Sequence, residues 1–145
     1  DKCTGCGQCV AVCQYDAAQV VWGDEGDILS KKIAEYAYAV IKDKPSLHIN
    51  FIMDVSPDCD CWSHNDMPVV ANIGIAASRD PFALDKACAD MVVAAPASPH
   101  LWGEGGDLSG TDKFRIAHKN ADWNTILVHG EKIKAGTFSY KLTRI

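Results

Sequence analysis

The sequence predicts a mixed fold, α+β or α/β, in which a short cysteine-rich segment (1–27) precedes a small α/β unit (28–145). Three observations carry this. Four of the seven cysteines fall within eleven residues near the start. The hydrophobic period then changes from 3.6 to 2 at Leu47, as it does where a helix gives way to a strand. Finally, Asp80-Pro81 is a helix start, an N-cap acceptor followed by a residue whose missing N–H costs nothing at the first helical position.

The elements follow in order. Ala18 to Trp22 is β-like, and the Gly- and Asp-rich stretch 23–27 is a turn. Ser30 is expected to cap a helix whose buried stripe is Ile33, Tyr36, Ala37, Val40 and Ile41, with Lys44-Pro45 ending it. Leu47, Ile49, Phe51, Met53 and Val55 alternate with His48, Asn50, Ile52 and Asp54 and predict a strand with one strongly apolar face. Val69 to Ala77 is apolar on both faces and reads as an internal strand. The helix opened by Asp80 should bury Leu84, Ala87, Cys88, Met91, Val92 and Ala95 before Pro96 and Pro99. Residues 103–112 are a loop. A third helix is expected from Trp123 to Lys134 with Asp122 as cap and Trp123, Ile126, Leu127 and Gly130 inward, then a turn at Gly136 and a last strand, Thr137 to Leu142.

Composition excludes several functions. At 145 residues and 48% hydrophobic, the chain can bury a core. No apolar run approaches the roughly 20 residues a spanning helix needs, and no signal peptide is visible. A net charge of −5 argues against nucleic-acid binding and is compatible with a basic redox partner protein. Seven cysteines, unevenly placed with Cys88 alone, are the wrong number and spacing for a disulfide scaffold, and the closely spaced ones point to metal ligation in a reducing, cytoplasmic compartment. The chain opens on Asp1 rather than Met, so it is expected to be a piece of a longer polypeptide.

Cys3, Cys6, Cys9 and Cys13 form C-x2-C-x2-C-x3-C, the ligand spacing of bacterial ferredoxins. Thiolates at this spacing can each reach a different iron of one [4Fe-4S] cube, with Gly5 and Gly7 relieving crowding where the backbone bends. A zinc site would more usually offer two separated pairs. Gln14 stands where proline normally follows the fourth cysteine. In two-cluster ferredoxins that fourth cysteine serves the other cluster. Cys13 therefore closes its own cluster, leaves that place to Cys59 or Cys61, or serves a second cluster shared with a cysteine run further upstream.

A second cysteine pair lies in Asp58-Cys-Asp-Cys-Trp-Ser-His-Asn-Asp66, just after the first long strand. Cys59, Cys61 and His64 could hold zinc or iron, or the loop could be a tight turn whose carboxylates bond backbone amides and whose thiols pack. Asp80 and Asp85 are more simply a cap and a surface charge than an acid–base pair, and Cys88 lies on an apolar stripe. If the two strands were parallel neighbours, the Cys59–Asp66 loop and the Asp80 helix start would open onto one rim. The Gly103 to Gly110 loop lacks the Lys-Ser/Thr of a phosphate loop. His48, His100, His118 and His129 are isolated in sequence.

With these motifs placed, the chain resembles ferredoxin-containing members of domain-of-unknown-function family 362. CTGCGQCVAVC, KKIAEYAYAVIKDKP, HINFIMDVSPDCDCW, NIGIAASRDPFALDKA and HGEKIKAGTFSYKL carry the likeness. Asn72 departs from the family's usual Asp. The resemblance implies a further N-terminal region with the rest of the α/β domain, and no particular reaction. Residues alone leave three functions open: a single-electron carrier, a redox enzyme whose cluster feeds a site at the Cys59–Cys61 loop, and a structural zinc module.

Overall fold

The computed structural model describes residues 7–19, 26–59, 66–99, 107–120 and 122–145. Its elements are α1 (Gln8–Val12), α2 (Gly26–Ile41), β1 (His48–Ile52), β2 (Gly74–Ser78), α3 (Pro81–Ala94), α4 (Lys113–Ala117) and α5 (Asn124–Lys132). The two strands pair antiparallel, from His48 opposite Ser78 to Ile52 opposite Gly74. Helices lie beside a small antiparallel sheet, so the class is α+β.

The third helix, α3, is the central element, with a core on each side. Leu84, Cys88 and Val92 pack against Ile52, Val69 and Val70 on the sheet side. Phe82 packs with Ala34 of α2 and Leu127 of α5 on the other. Its predicted stripe is correct, with Met91 and Ala95 lining the first core rather than being enclosed by it.

The sheet presents the opposite face from the one its alternation suggests. Leu47, Ile49, Phe51 and Met53 are exposed, and Ile52 is the buried residue of β1. On β2 the inward positions are Gly74, Ala76 and Ser78, while Ile75 points out. Small inward residues let the α3 backbone approach closely. Asn50, facing inward with Ile52, is satisfied there by Asp85 (2.8 Å) and the Cys88 sulfur (3.6 Å). Helix approach, not summed hydrophobicity, chose the face.

Other boundaries move for local reasons. The α2 helix runs through Ser30, and Asp27 supplies the negative charge favoured in the first turn. Its inward residues are Ala34, Ala37 and Ile41, whereas Ile33, Tyr36 and Val40 are exposed. The β1 strand ends before Asp54, which adopts φ 49. Val69 and Val70 do not extend β2; Val70 instead bridges Ala97. The α5 helix is shorter at both ends than expected and its N-cap is Trp123, not Asp122, although the Asp122 carboxylate still accepts from Asn124 N. The expected last strand is absent. Thr137 and Phe138 donate their amides to the side chains of Asp80 and Glu131 instead of to a neighbouring strand. The β-like stretch at 18–22 lies mostly outside the described residues.

The short helix α4 was not anticipated. It is held by Lys113, whose side chain is fully buried (0% exposed). The ammonium donates to the carbonyls of Val93 (2.9 Å), Leu108 (2.8 Å) and Thr111 (3.2 Å), which matches its three N–H bonds. Burial pushes its pKa down, and Asp107 and Asp112 act against that. Lys113 thus ties the end of α3 to the turn before α4.

Two stability predictions follow from these contacts. Ile52→Ala should cost about 2–4 kcal/mol in urea unfolding, while Phe51→Thr on the outer face should change stability by less than about 0.5 kcal/mol. A reversed order would mean the sheet is turned the other way. Lys113→Met should cost about 2–4 kcal/mol by the same measurement, because it removes three charge-assisted bonds and leaves the Thr111 carbonyl without its ammonium partner.

Candidate functional site

Of the cysteine run, Cys9 and Cys13 fall within the described residues, and Cys3 and Cys6 lie outside them. Gly7 precedes α1 in the left-handed conformation (φ 72), where a side chain would be strained. It starts a single helical turn that places Cys9 on the surface and Cys13 at the C-cap. Cys13 is extended (φ −73, ψ 110), the backbone that a following proline would impose, so Gln14 keeps the chain on the same course.

The chain then turns back on the sulfur. Asp16 adopts φ 51, and the Ala17 amide donates to Cys13 Sγ at 3.2 Å. Backbone amides of Tyr15, Ala18 and Ala17 hold the Cys13 thiol below the usual cysteine range. Cys88 differs in burial: its sulfur lies in the core and accepts a side-chain N–H from Asn50 at 3.6 Å. Burial pushes its thiol up, as expected of a cysteine that serves as core.

The Asp58–Asp66 loop is described only at its ends, and Cys61 and His64 lie outside the described residues. Cys59 is exposed. A partner that the sequence concealed approaches from 60 residues away. His118, at the C-cap of α4, meets the carbonyl of Pro57 with Nε2 at 2.8 Å and the Asp58 carboxylate at 3.4 Å. No spacing signal could have found it, because the contact exists only once Lys113 and Asp112 have set α4. At the strand end before this loop, Asn72 accepts from the Asp54 amide at 2.8 Å. This is an acceptor role that a carboxylate could fill equally well. Among the described residues, no three His, Cys, Asp or Glu side chains gather where a metal could sit.

The expected convergence of this loop with the Asp80 helix start is overturned by the strand pairing. The loop follows Ile52, at the Gly74 end of the sheet, and Asp80 follows Ser78, at the His48 end. Antiparallel strands put these ends roughly 14 Å apart along the sheet. Asp80 is also fully engaged. One carboxylate oxygen accepts from Phe82 N (3.0 Å) and Ala83 N (3.1 Å), the other from Thr137 N (2.7 Å) and Thr137 Oγ1 (3.0 Å). Gly136 is needed for this approach, since a Cβ there would strike the Asp80 carboxylate and the Phe82 ring. At Gly130 the same ring would be struck. Asp80 is a structural clasp. Asp85 bonds Asn50 from an exposed position, the surface role expected of it.

The fold and site together define a small α+β protein with a cysteine-bearing turn at its start. Residues 4–90, more than half of the chain, match a domain of unknown function, DUF362, and the chain belongs to that family. No curated protein and no solved structure matches it significantly. Among the described residues, no helix is long and apolar enough to cross a membrane.

If Asp80 is a clasp, Asp80→Ala should cost about 2 kcal/mol, the loss of a cap and of charge-assisted bonds to Thr137. It should also speed amide hydrogen exchange at Thr137 more than at β1. Unchanged stability and exchange would return Asp80 to the list of candidate reactive groups.

Proposed function

We propose that this protein binds a [4Fe-4S] cluster through Cys3, Cys6, Cys9 and Cys13 and passes single electrons to a redox partner protein. The ligand spacing motivates the reading. One structural observation carries it further: the contrast between Cys13, whose sulfur accepts a backbone amide, and Cys88, whose sulfur is enclosed in the core. A thiolate ligand needs the first environment and is disfavoured by the second. Cys9 and Cys13 lie in no disulfide, and Cys9 is open to solvent on a turn started by a glycine. These donors fit a thiolate-ligated cluster, which when bound takes up and releases one electron at a time.

The rest of the chain supports a carrier. The strand end that leads toward the Cys59 loop, at Ile52, and the one that leads into Asp80, at Ser78, lie at opposite ends of the sheet. The Asp80 carboxylate is committed to backbone and hydroxyl donors. The net charge of −5 suits a basic partner surface.

Anaerobic reconstitution should give the broad visible absorbance of thiolate-to-iron charge transfer, and Cys6→Ser should bleach most of it. Cys88→Ala should leave the band unchanged. A colourless wild type carrying stoichiometric zinc would replace this reading with a structural zinc module.

A further inference from the structure

We infer that the turn after Cys13 tunes the bound cluster, with the backbone N–H of Ala17, aimed by the left-handed residue Asp16, donating to the ligand sulfur. The inference rests on the cluster reading above and adds a role for residues that hold no iron.

The geometry is specific. Cys13 closes α1 in an extended conformation, so its side chain lies alongside the residues that follow it. Asp16 at φ 51 reverses the chain. Residues other than glycine rarely adopt this conformation, and Asp and Asn are among those that tolerate it best. The reversal presents the Ala17 amide to the sulfur at 3.2 Å, within the range for a hydrogen bond to sulfur. Ala17 and Asp16 touch no metal; they act through the Cys13 sulfur.

The physical consequence has a definite sign. Reduction adds negative charge to the cluster and its sulfurs, and an N–H dipole pointing at a sulfur stabilises that charge. Hydrogen bonds to the sulfurs are among the factors that set the potential of such clusters. The Ala17 amide therefore raises the midpoint potential, and its removal lowers it.

The test compares wild type, Ala17→Pro and Ala17→Gly after anaerobic reconstitution, with iron and sulfide content measured before any potential. Dye-mediated redox titration should place the proline variant at a more negative midpoint potential. The glycine variant, which keeps the N–H, should titrate with the wild type. Because proline could also disturb the turn, a second measurement leaves it native. Electron–nuclear double resonance of the reduced wild type, labelled with 15N-alanine, should show a nitrogen coupling that Ala17→Gly removes while the exchangeable proton coupling stays. Coincident potentials for all three cluster-bearing proteins, or no alanine coupling lost in Ala17→Gly, would overturn the inference and leave the cluster reading standing. Wild type without iron and sulfide would overturn the cluster reading itself.

Discussion

The Asp80 carboxylate is the constraint on which the described fold depends most. One oxygen satisfies free amides at the start of α3, and the other holds Thr137. The α3 helix forms part of both cores. A single carboxylate therefore fixes where the central helix begins and draws the C-terminal segment over it. Phe82, two residues on, fits against Gly130 and Gly136, where no Cβ could be accommodated. Side-chain clasping replaces the backbone ladder that a last strand would have provided. This is consistent with a chain end that is irregular yet tied down at Thr137, Phe138 and Tyr140.

What the sequence made legible was local chemistry. Asp80-Pro81 specified the start of α3 because capping involves only a few adjacent residues. The α3 stripe and the inward residues of α5 were readable because a full helical period repeats within each. The strand pairing and the buried face were not readable in this way. Alternation in β1 marks two faces and does not say which one meets a helix; the answer lies in the small residues Gly74, Ala76 and Ser78 on its partner. The α4 helix was missed because its anchor is a lysine, and a lysine buried against three carbonyls has no sequence signature.

The candidate site divides in the same way. The cysteine run stands out in the sequence as a motif because ligand spacing is a short-range property. His118 does not, because its contact with Pro57 and Asp58 depends on two distant segments being packed first. The role of Gln14 also needed the structure. The extended conformation of Cys13 shows that the missing proline changes little about the chain's exit, and the Asp16 turn supplies the donor to the sulfur. The same chain thus holds cysteines of two kinds, Cys88 buried in the core beside Asn50 and Cys13 presented to backbone donors.

The most direct measurement of the central claim is metal and acid-labile sulfide analysis of the anaerobically purified protein. The account predicts iron and sulfide in equal amounts, about four of each per cluster as [4Fe-4S] requires, and both lost together when Cys3, Cys6 and Cys9 are replaced by serine. Zinc without sulfide, or iron and sulfide that survive that replacement, would contradict it.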